Sequence, residues 1–87
     1  MNAVTFTRLT AHAQMMLDRR ELKMVWIEDT LRAATIIRQD ERDPTLNLAF
    51  KQIPEAGDKW LRVVYRMDKQ THVIVTAFFD RNQENRK

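Results

Sequence analysis

Eighty-seven residues allow one small domain with a modest core, whose stability a partner can raise. The chain has no cysteine and no serine, which excludes disulfides, thiolate chemistry and a serine nucleophile, and its single glycine, Gly57, excludes a glycine-rich phosphate loop. A net charge of +3, from 15 Lys+Arg against 12 Asp+Glu, is an ordinary solubility charge, but most of the cations are arginine, whose planar fork matches phosphate and carboxylate.

In chain order, Val4 to Leu9 alternates as a short strand. Thr10 is placed to cap the N-terminus of a first helix, running from Ala11 to Arg19 or Arg20, with Ala13, Met16, Leu17 and Arg20 on one stripe. Leu22 lies in a break and dips back to the core. A second helix is expected over Met24 to Thr35, its stripe carrying Ile27, Leu31 and Ala34; Trp26, between core positions, is either an exposed contact residue or the cover of a core edge. Ile36 and Ile37 either end this helix or begin the sheet, and the charged run from Arg38 to Pro44 reads as a solvated loop. Leu46 to Ile53 alternates as a strand, and Pro54 to Asp58 has turn chemistry.

Trp60 to Met67 and His72 to Phe79, joined by Asp68-Lys-Gln-Thr71, read as a β-hairpin rich in β-branched and aromatic residues. Alternation puts Leu61, Val63, Tyr65 and Met67 on one face of the first arm and Trp60, Arg62, Val64 and Arg66 on the other. In the second arm it puts Val73, Val75, Ala77 and Phe79 opposite His72, Ile74, Thr76, Phe78 and Asp80. One face is core, and the other, mixing cations and aromatics, is the functional candidate. The whole predicts an α+β domain over residues 1–81, with two helices packed on a mainly antiparallel sheet of three to four strands in the order β-α-α-β-β-β. Residues 82–87 are a polar tail. No signal-peptide pattern and no apolar run of roughly 20 residues is present, so the expected location is cytoplasmic, with no membrane partner. No spacing suggests a metal or a small-molecule cofactor.

His12-Ala13, Arg20, Leu22, Ile27 and Leu31 follow the pattern H-A-x-x-R-M-x-x-R-G-I-x-x-x-x-V-x-x-x-L. Further on, Leu61-Arg62-Val63-Val64 and Val73-Ile74-Val75-Thr76, followed by Asp80-Arg81, match the strands of the same pattern. In these features the chain resembles the domain of unknown function 4258 family, a group related to the RelE and BrnT ribonuclease toxins. Met16 stands where the pattern has its first arginine, and Glu21 where it has glycine.

The resemblance implies a RelE-like fold and a metal-independent endoribonuclease, the toxin of a bacterial toxin–antitoxin pair, with RNA or the ribosome and a cognate antitoxin as partners. RNA can be cut without metal when a base deprotonates the ribose 2′-OH, an acid protonates the leaving oxygen and cations stabilise the phosphorane. On that scheme the catalytic candidates are His12 as acid or base, Arg20 and Arg62 on the phosphate, and Thr76 as a hydrogen-bonding group. Lys51, Arg66 and Arg81 are further candidate RNA contacts. Each also has a structural role open to it. His12 can bond to nearby backbone, Arg20 can sit at its helix C-terminus for the dipole, and Arg62 and Arg66 can be the charged side of an edge strand. His72 reads as surface, and Tyr65 as core. The alternative function is a non-catalytic domain that binds protein or nucleic acid, and what separates the two is whether the candidates share one groove.

Overall fold

The hairpin forms the middle of a larger sheet. In the computed structural model, which describes residues 6–81, the order is β1 (Phe6–Leu9), α1 (Ala11–Arg20), α2 (Met24–Ala33), β2 (Ile36–Gln39), β3 (Asn47–Ile53), β4 (Lys59–Asp68) and β5 (Thr71–Phe79), with a single turn of 3-10 helix at Pro54–Ala56. The expected strand residues Val4 and Thr5 and the expected tail lie outside the described residues. The sheet has five strands in the order β1-β5-β4-β3-β2. All neighbours are antiparallel except β1 and β5, which are parallel.

The expected three to four strands are thus corrected to five in a mixed sheet. The strand missed is β2. Its Ile36 and Ile37 continue the apolar pattern of α2, and its Arg38 and Gln39 open a charged run, so neither half reads as a strand alone. Pairing with β3, in the register Ile36↔Phe50 to Gln39↔Asn47, decides it. The second helix accordingly stops at Ala33, two residues short of the expectation.

The helix starts and stops have local causes. The Thr10 hydroxyl accepts from the Ala13 N–H at 3.0 Å, capping α1 as its sequence predicts. At the other end Glu21 takes the left-handed conformation, φ 54°, while its N–H reaches the carbonyls of Leu17 and Asp18. That is a position suited to glycine, which has no Cβ to strain there.

Both helices pack on one side of the sheet. Ala13 and Leu17 of α1 and Trp26 and Ile27 of α2 meet Ala49 and Ile53 of β3, Leu61, Val63 and Tyr65 of β4, and Ile74 and Ala77 of β5. Leu22 joins them from the interhelix break, as expected. Of the two readings open for Trp26, burial at the core holds and an exposed contact surface does not. Its ring lies 5.9 Å from that of Phe79, and its indole N–H has no hydrogen-bond partner. The helix turns it inward because the end of β5 offers an aromatic surface that the helical pattern alone does not reveal.

The second arm of the hairpin departs from simple alternation. Val64 pairs with Thr76 but Tyr65 pairs with Ile74, so Val75 is an extra residue in β5. A bulge of this kind re-aims every side chain beyond it. Ala77, Thr76 and Phe78 keep their expected faces, but His72 and Ile74 move to the helix side and Val75 packs with the opposite cluster.

Glu21→Gly relieves the left-handed strain and is expected to raise stability by about 1 kcal/mol, less the entropy glycine adds to the unfolded chain. Urea denaturation of the two proteins measures it, and a loss of stability would contradict the capping account.

Candidate nucleic-acid interface

The sheet face away from the helices carries a second, smaller cluster, in which Leu48, Phe50 and Val64 are buried and Ile36, Leu46, Trp60 and Val75 pack around them. Phe50 is only 2% exposed although neither described helix lies over it. Arginine side chains provide part of the cover. The Arg38 guanidinium sits 5.8 Å from the Phe50 ring centre and that of Arg62 sits 5.7 Å from it. Long cationic side chains do this by laying their stems on apolar surface and keeping the charge in water.

Register explains the arrangement. Phe50, Arg62 and Phe78 are direct cross-strand partners on β3, β4 and β5, and side chains so placed stand about 5 Å apart. Arg62 therefore lies between two rings, its guanidinium also 5.3 Å from the centre of Phe78. Asp80, just past β5, accepts from Arg62 Nη1 at 3.1 Å. The Arg62 Nε is buried and has no hydrogen-bond partner among the described residues.

Arg20 completes the row from the other side of the sheet. It ends α1, which runs beside β5 where β1 has stopped pairing at Ile74. From there its Nη1 donates to the Ala77 carbonyl at 2.7 Å and reaches the Thr76 hydroxyl at 3.5 Å, and its guanidinium stands 5.6 Å from the Phe78 ring. The structure thus produces an alternating row, Arg20–Phe78–Arg62–Phe50–Arg38, across four strands and around one sheet edge. Guanidinium–ring contacts contribute about 0.5–1 kcal/mol each when exposed and more when desolvated, so the row holds the forks in place without consuming all their donors.

Three of the four catalytic candidates come together here: Arg20 and Arg62 both border Phe78, and Arg20 reaches Thr76. The fourth does not reach them. His12 is exposed in the first turn of α1. With Met16 and Arg20 it falls at i, i+4, i+8 spacing, so it lies about 12 Å along the helix from Arg20 at 1.5 Å per residue. Met16, where the family pattern has arginine, is buried between them.

The RNA-contact candidates divide. Arg66 is exposed on the same face as Arg62 by alternation. Arg81 is exposed at the end of β5 and lines a cavity with Lys59, Trp60, Phe79 and Asp80. Lys51 pairs with Leu61 and is thereby placed on the helix side, away from the row. His72, read as surface, is half-buried on the helix side, its ring 5.1 Å from that of Tyr65. Arg38, Phe50, Phe78 and Asp80 were not among the candidates. The parity of Phe50 and Phe78 with Arg62 was the available signal for the rings. Arg38 was hidden by its reading as loop.

A cavity of about 240 Å³ opens beside the row, between the β2–β3 loop and Asp80, with Arg38, Arg42, Phe50 and Arg62 in its wall. Asp40 and Glu41 of the loop also line it, so it offers both signs of charge. The loop is pinned by Asp43, whose carboxyl accepts from the Thr45 hydroxyl at 2.6 Å and the Thr45 N–H at 3.0 Å, bonds that hold its pKa below the ordinary carboxylate value. Among the described residues, no His, Asp or Glu cluster has the make-up to hold a metal ion, and no helix is long and apolar enough to cross a membrane.

Tyr65 is buried on the helix side, and burial raises its phenol pKa above the usual 10.0. A neutral phenol on the far side of the sheet is poorly placed to serve the row. Because it is the only tyrosine, an alkaline absorbance titration reads it directly. The phenolate should appear above the ordinary tyrosine range in the folded protein. Since the unfolded chain ionises first, stability should fall as pH rises through that range. An ordinary phenol titration in the folded state would contradict the burial.

The family profile described as Domain of unknown function (DUF4258) matches residues 9–79, which takes in both helices, the row and nearly all of the sheet. The chain belongs to this family. No curated protein and no solved structure gives a significant match.

Proposed function

We propose that this member of the family is a RelE-like protein that acts on single-stranded RNA through its open sheet face, as a metal-independent endoribonuclease and the toxin of a bacterial toxin–antitoxin pair. The observation that carries the reading is the row Arg20–Phe78–Arg62–Phe50–Arg38. Proteins that hold single-stranded nucleic acid combine cations along the backbone with planar groups against which bases stack. A row that alternates guanidinium and ring offers both at the spacing of neighbouring strands.

In this account Arg20 and Arg62 flank the scissile phosphate and take up the charge that develops on its non-bridging oxygens. Thr76, already beside Arg20, hydrogen-bonds the RNA. The 2′-oxygen loses its proton and bonds to phosphorus, the bond from phosphorus to the 5′-oxygen breaks, and the 5′-oxygen gains a proton. His12 is the titratable group on the α1 stripe that ends in Arg20. Arg66 and Arg81 extend the basic path along the face, whereas Lys51 does not. RNA or the ribosome is the target, the cytoplasm is where it is met, and a cognate antitoxin is the protein that would cover this face.

The placement of His12 and the methionine at position 16 favour a second reading, a domain of the same fold that binds RNA or protein without cutting. The two separate in one experiment. Purified protein is incubated in EDTA with free RNA and with mRNA on translating ribosomes, beside His12→Ala, Arg20→Ala and Arg62→Ala. Cleavage leaving 2′,3′-cyclic phosphate ends is expected, reduced by about 10²-fold or more in either arginine variant. Folded protein that cuts neither substrate leaves the binding domain.

A further inference from the structure

Asp80 stands where two cavities meet. It lines the cavity of about 240 Å³ bordered by Arg38, Arg42 and Phe50, and also the one of about 380 Å³ bordered by Lys59, Trp60 and Arg81. Each has cations on its wall and an aromatic ring, the chemistry that receives a nucleotide's phosphate and base. Between them the Asp80 carboxylate is held against Arg62 at 3.1 Å, its side chain only 10% exposed. In-line cleavage needs a proton acceptor next to the phosphate-binding cation. Neither His12, at the far end of α1, nor Tyr65, on the other side of the sheet, is beside Arg62.

Resting on the ribonuclease reading, we infer that Asp80 is the proton acceptor of the reaction, with the nucleotides on either side of the scissile phosphate seated in the two cavities. The carboxylate takes the 2′-OH proton as the bond from the 2′-oxygen to phosphorus forms and the bond to the 5′-oxygen breaks. The leaving oxygen takes its proton from solvent, and Asp80 later returns its own to solvent. Arg62 stays charged throughout. It holds the carboxylate beside the cavities and offers its remaining donors to the phosphate. The acceptor and the phosphate-binding group are thus one hydrogen bond apart, which puts the acceptor within reach of a 2′-OH next to the bound phosphate.

The test separates rate from affinity. Cleavage is followed on a short single-stranded RNA of mixed sequence, and affinity on its 2′-O-methyl counterpart, which lacks the nucleophile. For Asp80→Asn, cleavage should fall by about 10²–10⁴-fold while affinity stays within about threefold of wild type, and Asp80→Glu should recover part of the rate. Thermal melting confirms that each variant is folded; if the asparagine variant is not, the glutamate variant decides, through a lower rate at unchanged affinity. Cleavage by Asp80→Asn at the wild-type rate overturns the role of Asp80 alone. A parallel loss of rate and affinity overturns it too, by making Asp80 only the holder of Arg62. Tighter binding with faster cleavage would make the carboxylate a competitor of the phosphate. No cleavage by wild type removes this inference together with the ribonuclease reading.

Discussion

Val75 is one residue more than β4 can pair, and the bulge it makes decides what each face of the sheet carries. Before the bulge β5 presents His72 and Ile74 to the helices; after it, Ala77 and Phe79. Without the extra residue, keeping Ala77 in the core would turn Ile74 outward, since a shift of one residue exchanges the faces of a strand. The bulge lets the core take Ile74 and Ala77 together and leaves Thr76 and Phe78 on the open face beside Arg62. It lies close to where β1 stops pairing, so the strand edge taken over by Arg20 begins where the sheet is already irregular.

The open face has an unusual construction for a small sheet. Its apolar floor is buried without either described helix above it, and guanidinium groups form part of the roof. This solves two problems at once. Leu48, Phe50 and Val64 are withdrawn from water, which stabilises the sheet at about 25 cal/mol per Å² of apolar surface covered. The arginines doing the covering are in turn held by the rings and, for Arg62, by Asp80. A ligand that carries phosphate and flat bases meets charges already ordered, so it loses less freedom on binding than it would with mobile side chains. At a net charge of only +3, the proposed RNA binding would draw on this local ordering more than on long-range attraction.

Much of this was legible in the sequence, and the failures have physical causes. Helix α1 was readable from its stripe and from Thr10, and the hairpin from β-branched alternation, because these signals are local. The core placement of Tyr65 and Leu22 followed from the same patterns. β2 was only half readable: Ile36 and Ile37 were left to end α2 or begin the sheet, and Arg38 and Gln39 read as loop, since an apolar pair and a charged pair have no periodicity of their own. Its existence depends on β3. The sequence could not decide between an exposed and a core-edge Trp26, because its burial depends on Phe79, far away in the chain. The bulge inverted two faces of β5 for the same reason: pairing with β4 is a tertiary fact. As for the site, parity placed Arg62, Thr76 and Phe78 together, and the resemblance picked out Arg20. Only the fold could show that Arg20 reaches them around the edge of β5, that Arg38 lies in a strand, and that Lys51 faces the helices.

The central claim is that the open sheet face, and not the helix side, receives RNA. The most direct measurement is a titration of isotope-labelled protein with a 2′-O-methyl single-stranded RNA, followed by the amide and guanidinium NMR signals. The expected result is saturable shifts concentrated at Arg38, Phe50, Arg62 and Thr76 to Asp80, and at the side chain of Arg20. The helix-side signals of Glu28 and Arg32 should stay still. Shifts centred on α2, or no shifts at any RNA concentration, would contradict the account.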